Sequence, residues 1–372
     1  MIEPQDFDES SLLSTREQED VLKSIRVSRI IVPILLGIAA VGYLLWRQFD
    51  PEEFAAINWT SHTLFWVSAS LIILITKHLA YATRLRVLSE GAFSWRKCIE
   101  LIFIWEFSSA VSPTSVGGSA VAFFVLAQEK LPTAKTATIV LYTIVLDSLF
   151  FVSSLPLLYL FFGTEMIRPN IQRLEDIGGW GFYFLFAYSF MAIYGAIFYY
   201  GLFINPQQIR KVLKWVTGMQ ILNRYQPKAI ELGNDMILAS QSLKHQNFSF
   251  HLRAFVATAT AWSCRFLLLN CLIIAFITSM PLDFWTQFEL YARLESMFVI
   301  IAFSPTPGGA GFIEILFRGF LVDYVSSATY ATVISTIWRL FSYYAYLLAG
   351  AIIIPNWIRT VVNERRNRKK ED

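Results

Sequence analysis

The stretches Ser112-Pro113-Thr114-Ser115-Val116-Gly117-Gly118 and Ser304-Pro305-Thr306-Pro307-Gly308-Gly309 decide the fold of this chain. Each one interrupts an apolar run that is otherwise typical of a helix. Proline lacks the N–H group that helical hydrogen bonding needs, and glycine relaxes the backbone, so both stretches predict a broken helix. Broken backbone at membrane depth is tolerated only where protein buries it or a watery cavity reaches it. Two such breaks, one in each half, predict a substrate pathway between internal repeats.

The composition places the chain in a membrane. Hydrophobic residues make up 55% of its 372 residues, aromatic residues 16%, and the mean hydropathy is +0.49. A helix needs about 20 apolar residues to cross a bilayer. Runs of about this length predict six spans, at 30–46, 62–82, 136–162, 180–204, 254–279 and 328–354.

Two pairs of shorter apolar runs flank the Pro/Gly breaks. They cover 99–112 with 118–128, and 286–303 with 310–322. Most of these limbs are too short to cross alone, although 286–303 is long enough to span. We therefore expect two re-entrant helical hairpins rather than distorted full spans, and an all-α membrane protein.

The basic residues are concentrated in three regions, although the net charge is only +3. These regions are 84–97, which includes Arg84, then 210–253, and the tail at 359–370. The positive-inside rule predicts that all three are cytoplasmic, and so are both termini. The tail is typical of a stop-transfer flank rather than of a nucleic-acid or lipid-headgroup site.

Threading the chain through the bilayer predicts an inverted repeat. Repeat A (29–162) and repeat B (180–355) have opposite orientations, with an acidic cytoplasmic segment (1–28) before them and a basic tail (356–372) after them. Asp147 lies 34 residues after Pro113, and Arg339 lies 34 residues after Pro305. This matched spacing favours the repeat, in which the two halves exchange conformations to alternate access.

Charged residues inside spans need partners or a function. Four acids and four arginines inside the runs predict either ion pairs between helices or a binding site. For Glu106, Arg293 and Glu295 we favour ion pairing. For Arg265 and Arg339 a structural role in an ion pair and a functional role in binding are equally favoured. Arginine suits phosphate because its planar fork binds two oxygens, and helices starting near the two breaks would point N–H groups at an anion. The eight charges are Glu106, Asp147, Glu295, Glu314, Arg265, Arg293, Arg318 and Arg339.

The basic region at 205–253 has apolar residues at helical spacing and predicts an amphipathic cytoplasmic segment. It either lies on the inner leaflet, gathers anionic lipid, or docks a partner enzyme. The three cysteines form no CxxC pair and the four histidines lack metal-ligand spacing, so we expect neither a metal nor a cofactor. The sequence has no GxxxxGK[ST] phosphate loop, which argues against ATP-driven pumping by this chain alone.

The stretch Pro307-Gly308-Gly309-Ala310-Gly311-Phe312-Ile313-Glu314 resembles the PGGxGxxE signature of the transmembrane region of lysylphosphatidylglycerol synthases and their stand-alone flippase-like relatives. The family's later Arg in the last span is matched by Arg339. The stretch 117–147, which ends at Asp147, is similar to the family's first conserved block. The resemblance covers about residues 30–355. This chain departs from the pattern at Thr143, Ile144 and Trp262, where relatives often carry charged residues.

The resemblance implies a multi-pass inner-membrane protein that moves a lipid between leaflets. The soluble aminoacyl-transferase domain of the synthases has no counterpart here, so we expect no enzyme activity. The open alternatives are an accessory protein that binds a glycolipid or polyprenyl phosphate and, less favoured, a transferase using Glu106 and Asp147. Expected partners are an anionic, aminoacylated or polyprenyl-linked lipid but no nucleic acid, with a second copy and an envelope-lipid enzyme left open. The predicted pathway residues are Pro113, Thr114, Gly117, Gly118, Asp147, Arg265, Pro305, Thr306, Pro307, Gly308, Gly309, Gly311, Glu314, Arg318 and Arg339.

Overall fold

All regular elements in the described part of this computed structural model are helical, which confirms the all-α membrane fold. The structure describes residues 59–111, 125–129, 131–167, 179–220, 222–304, 312–350 and 352–355, together with residues 55, 122–123 and 357. The main helices within these ranges are α1 Ser61–Leu88, α2 Trp95–Val111, α3 Thr133–Phe162, α4 Gly179–Tyr199, α5 Pro206–Thr217, α6 Gln226–Lys244, α7 Phe248–Phe276, α8 Phe284–Ile301, α9 Phe312–Phe320 and α10 Ala328–Arg339.

Five of the six predicted spans coincide with helices that are long and apolar enough to cross a membrane. The sixth prediction, at 30–46, lies outside the described residues. α7 begins at Phe248 rather than at 254, because the Asn247 side chain accepts a hydrogen bond from the Phe250 N–H and starts the helix. Residues 248–253, at the end of the predicted amphipathic segment, therefore belong to the span formed by α7. The five spans are Ser61–Leu88, Thr133–Met166, Gly181–Ile204, Phe248–Phe276 and Ala328–Pro355.

The connections rich in basic residues meet at one end of the molecule. Glu90, just after α1, contacts Lys135 at the start of α3 and accepts a hydrogen bond from Gln246 at 2.8 Å. Trp357, beyond the last span, donates to Glu129 at 2.6 Å. The structure thus places the regions 84–97 and 210–253 together, while the basic residues at 359–370 lie outside the described residues. The assignment of this end to the cytoplasm stays a prediction.

An ion pair connects the two limbs of each predicted hairpin. Lys97 Nζ at the start of α2 lies 2.8 Å from Glu129 Oε1, and Arg293 Nη1 in the middle of α8 lies 2.9 Å from Asp323 Oδ2 beyond α9. The first pair brings the two ends of its segment together, as a hairpin requires, whereas in the second segment the residues after α9 meet the middle of α8. The turns at 112–121 and 305–311 lie outside the described residues, and re-entrance into the membrane stays a prediction.

Two apolar clusters divide the interior, and the long helices run through both. The α2 cluster contains buried residues of α1 and α2, while the α8 cluster contains those of α8 and α9. The border between them crosses the spans at the positions of the predicted charges. It falls between Leu146 and Phe150 on α3, between Ala261 and Phe266 on α7, and between Trp338 and Tyr343 on the last span.

The amphipathic segment folds into two helices that differ in burial. No residue of α5 is buried, whereas α6 buries Met236, Ala239 and Leu243 in the α2 cluster. α6 packs on α3, and α5 packs on α6 and on the π-helical turn Tyr200–Ile204 that ends α4. The pair therefore covers the basic end of the bundle.

Gly195 brings α4 unusually close to α3. A Cβ atom at this position would lie 2.4 Å from Ser148 Cβ, which is too close for any real contact. We expect Gly195→Ala to lower the free energy of unfolding by about 1–3 kcal/mol, because the two helices must separate. Gly179→Ala on the same helix is the control, since nothing lies within 4 Å of a Cβ there. Equal stability of the two variants in detergent would contradict this packing.

Asp235 on α6 makes stability depend on pH. Burial, with a smaller contribution from Glu231, raises the pKa of this carboxyl from 3.8 to about 7. The folded state then holds a proton that the unfolded chain releases, so the associated stability is lost as pH rises from about 4 through 7. We expect Asp235→Asn to raise the melting temperature at pH 8 more than at pH 5. A gain that is equal at both pH values would show that Asp235 is not protonated in the folded state.

Candidate functional site

Five charged side chains from four helices form a layer at the border between the two apolar clusters. We call this group the charged layer. The helices α1, α2, α3 and α7 contribute to it, and Tyr346 of the last span lies beside it. Its members are Lys77, Arg84, Glu106, Asp147 and Arg265.

Glu106 lies between two cations. Its Oε2 atom is 3.2 Å from Lys77 Nζ and 3.3 Å from Arg265 Nη2, and the same Arg265 nitrogen is 3.4 Å from Oε1. One carboxylate thus joins α1, α2 and α7. Since buried cations are costly without a partner, Glu106 makes this helix arrangement possible.

Asp147 forms the second contact point of the layer. Its Oδ1 atom accepts a hydrogen bond from Arg84 Nη1 at 2.6 Å and one from Trp262 Nε1 at 2.9 Å. Arg84 also donates to Thr258 Oγ1 at 3.4 Å. Trp262 stands between the two parts of the layer, because the Arg265 guanidinium carbon lies 4.9 Å from its ring centroid. The five charges therefore form one connected group.

Aromatic rings surround the cations of the layer. Lys77 Nζ lies 4.6 Å from the ring centroid of Tyr346, and the Arg84 guanidinium carbon lies 4.8 Å from that of Tyr81. His78 packs against both Phe103 and Tyr346, and its Nδ1 atom lies 3.3 Å from the Tyr346 hydroxyl. The negative faces of such rings stabilise buried positive charge without adding a further carboxylate.

The members of the charged layer differ in how far their side chains are exposed. Lys77 and Arg84 expose 1% and 8% of their side chains, whereas Arg265 exposes 24% and Asp147 30%. Glu106 is intermediate at 17%. Lys77 and Arg84 are therefore the more enclosed members of the layer, and Glu106, Asp147 and Arg265 are the partly exposed ones.

The layer has an excess of positive charge. Three cations face two carboxylates, so its five groups sum to +1. Arg265 Nε, moreover, has no hydrogen-bond partner among the described residues. A buried donor of this kind normally has a partner, so among the described residues the layer leaves one donor unsatisfied. An oxyanion such as a phosphate group supplies both the acceptor and the missing negative charge.

The sequence prediction is wrong about how these charges pair. Arg84 was expected in a cytoplasmic loop, but α1 continues to Leu88 and carries this residue inward to Asp147. The four acids and four arginines that the sequence analysis names balance each other, but this set does not include Lys77. Asp147 pairs with Arg84, and Arg265, for which pairing and function are equally expected, pairs with Glu106. Helix length and neighbouring helices, rather than local apolarity, decide these partners.

Among the other predicted pathway residues, only Arg339 has a described side chain. It is 1% exposed, and its guanidinium carbon lies 5.3 Å from the ring centroid of Tyr343, in the π-helical turn Leu340–Tyr344. Arg339 is therefore more enclosed than Arg265. The side chains of Glu314 and Arg318 lie outside the described part, as do all residues of the two Pro/Gly stretches that the prediction names: Pro113, Thr114, Gly117, Gly118, Pro305, Thr306, Pro307, Gly308, Gly309 and Gly311.

The charges of α8 lie apart from the layer. Arg293 binds Glu289 at 2.7 Å and Asp323 at 2.9 Å, so the expectation of ion pairing is confirmed for Arg293, as it is for Glu106. It is wrong for Glu295, which is fully buried and accepts a hydrogen bond from Ser154. Within the described residues, no group of three His, Cys, Asp or Glu side chains is placed to hold a metal ion.

Comparison with known proteins identifies the family. The family described as lysylphosphatidylglycerol synthase TM region matches residues 30–350. The chain belongs to this family. A curated relative, a UPF0104 membrane protein of Archaeoglobus fulgidus, is 21% identical over 337 residues, which cover 87% of this chain and 95% of the relative. No solved structure matches the chain. The resemblance seen at 307–314 is thus confirmed across nearly the whole membrane region.

The central role of Glu106 can be tested by removing its charge. Glu106→Gln leaves Lys77 and Arg265 without their carboxylate, and we expect the free energy of unfolding to fall by about 3–5 kcal/mol. Adding Lys77→Met removes one of the stranded cations and should recover part of the loss. Both effects can be measured by denaturant or thermal unfolding in detergent.

The matched control lies on the same helix. Glu100 pairs with Lys97 near the surface at 3.6 Å, so Glu100→Gln should change stability by no more than about 1 kcal/mol. Equal losses for the two Glu→Gln variants, or simple additivity in the Lys77/Glu106 double variant, would show that Glu106 does not join the helices.

Proposed function

We propose that this protein is a lipid translocase, which moves a phospholipid or a related headgroup-bearing lipid between the leaflets of the inner membrane. The observation that carries the proposal is the charged layer: a partly exposed group of five charges with a net charge of +1, between two apolar clusters. Membership of the lysylphosphatidylglycerol synthase transmembrane family supports a lipid-related role. The headgroup would cross at the layer while the acyl chains stay in lipid.

Arg265 has the central role in this proposal. It is the most open cation of the layer, it lies beside Trp262, and its Nε donor has no partner among the described residues. Its guanidinium would bind the lipid phosphate through two oxygens. Arg84 and Lys77 would contribute charge from behind, without contacting the lipid. The enclosed Arg339 would act on the shape of the pathway rather than on the headgroup.

In addition to the phosphate that Arg265 would bind, the two carboxylates of the layer could bind a positively charged part of the headgroup. Asp147 and Glu106 are partly open, so a headgroup that carries an amino group beside its phosphate can contact them. An aminoacylated phospholipid has both charges, and an anionic phospholipid has only the first. The excess of one positive charge favours a lipid with net negative charge or with a phosphate close to Arg265.

The energetics of transport form a further part of the proposal. The absence of a phosphate-loop motif from the sequence favours downhill, ion-coupled or partner-driven movement. We expect no catalytic activity, a plasma-membrane location and two cytoplasmic termini. The alternative function is an accessory protein that binds a glycolipid or a polyprenyl phosphate at the same layer without moving it.

Lipid transfer in proteoliposomes tests the proposal through Arg265→Gln. The variant keeps the Lys77–Glu106 pair and reduces the charge of the layer to zero, so the fold should persist. A hydrogen bond to a charged group contributes about 1.5–3 kcal/mol, which corresponds to a transfer rate lower by roughly tenfold to a hundredfold. The assay follows a fluorescent phosphatidylglycerol from one leaflet to the other.

Arg253→Gln is the matched control, because Arg253 is exposed on the same helix, twelve residues or about 18 Å before Arg265. Its transfer rate should equal that of the unmodified protein. Equal rates for both variants would remove Arg265 from the mechanism. Lipid that co-purifies with a protein unable to transfer it would favour the accessory alternative.

A further inference from the structure

The first part of the amphipathic segment has a strong and uniform charge. Between Pro206 and Ile230 there is no Asp or Glu, and the first acid is Glu231. None of the cations of α5 forms an ion pair with a described residue. The charge of this surface therefore has no partner within the described fold. The five cations of the stretch are Arg210, Lys211, Lys214, Arg224 and Lys228.

The same surface exposes large apolar side chains. Trp215 is 75% exposed, Met219 56% and Val212 46%. They are three and four residues apart, so they follow one face of the α5 helical path. A tryptophan next to lysines is typical of the boundary between lipid tails and headgroups, where the ring is half-buried and the ammonium groups reach the phosphates.

The position of α5 in the fold fits such a boundary. The span Gly181–Ile204 ends two residues before Pro206, so α5 starts where that span leaves the apolar region. The Asn205 side chain accepts a hydrogen bond from the Gln208 N–H and fixes this change of direction. α6 holds α5 against the basic end of the bundle.

An open groove of about 520 Å³ lies between α5 and the start of α6. We call it the basic groove. Its volume falls in the range of about 300–1,000 Å³ that is usual for small-molecule sites. It combines two ammonium groups with one aromatic and one thioether side chain. The residues that line it are Lys211, Lys214, Trp215, Gly218, Met219 and Gln226.

We propose that the basic groove is a binding site for the phosphate headgroup of an anionic phospholipid. Lys211 and Lys214 contact the phosphate, and Trp215 and Met219 contact the upper part of the acyl chains. This site is separate from the charged layer, and the proposal concerns lipid binding alone, not lipid transfer. It gathers anionic lipid in one leaflet, beside the helices that carry the layer, whether or not the protein then moves it.

Fluorescence quenching by brominated lipid tests the groove in the full chain. The protein is placed in nanodiscs of phosphatidylcholine that contain a small fraction of either brominated phosphatidylglycerol or brominated phosphatidylcholine. The signal of Trp215 is isolated by subtracting the spectrum of Trp215→Phe. We expect stronger quenching by the anionic lipid, with a local enrichment of about fivefold for each lysine that contacts it.

Two double variants distinguish binding in the groove from general electrostatic attraction between anionic lipid and the basic surface. Lys211→Gln with Lys214→Gln should abolish the preference for the anionic lipid. Lys228→Gln with Lys244→Gln removes the same charge from exposed positions of α6 outside the groove, and should leave the preference intact. Loss of preference in both double variants, equal quenching by the two lipids, or no quenching at all would overturn the proposal. Lipid transfer is not measured, so the result is independent of the proposed translocase activity.

Discussion

The contact of the Glu106 carboxylate with Lys77 and Arg265 is the interaction on which the structure depends. Three long apolar helices can approach one another at this depth only if their charges neutralise one another, since an unpaired charge in the bilayer centre costs at least about 2.5–3.5 kcal/mol. Glu106 comes from α2, the first limb of the first predicted hairpin, whereas its cations lie on spans. The hairpin is therefore held in the bundle by charge as well as by apolar packing.

The position of this contact explains why the interior has two apolar clusters rather than one. Side chains that carry charge cannot be enclosed in a continuous apolar core, so the cores end above and below them. α3 and α7 pass through the border at Asp147 and Arg265, and each helix belongs to one cluster before this point and to the other after it.

The sequence predicts the spans well because each is a long apolar run, and it finds Asp147 and Arg265 because charges stand out in such runs. It fails at Lys77 and Arg84 for two different reasons. Lys77 is a single charge within the long apolar run 62–82. Arg84 resembles the basic flank that follows a span. The reach of α1 to Leu88 and the choice of partners are set by packing between helices distant in sequence, which no local pattern records.

The ion pairs that connect the limbs of the two predicted hairpins differ between the halves. Lys97, at the start of α2, pairs with Glu129, which also binds Trp357. Arg293, in the middle of α8, exposes only 5% of its side chain and pairs with Asp323 beyond α9. At the border between the clusters, the first half contributes Lys77, Arg84, Glu106 and Asp147, whose charges balance, and the second half contributes Arg265. The excess of one positive charge, on which the proposed headgroup site depends, therefore comes from the second half.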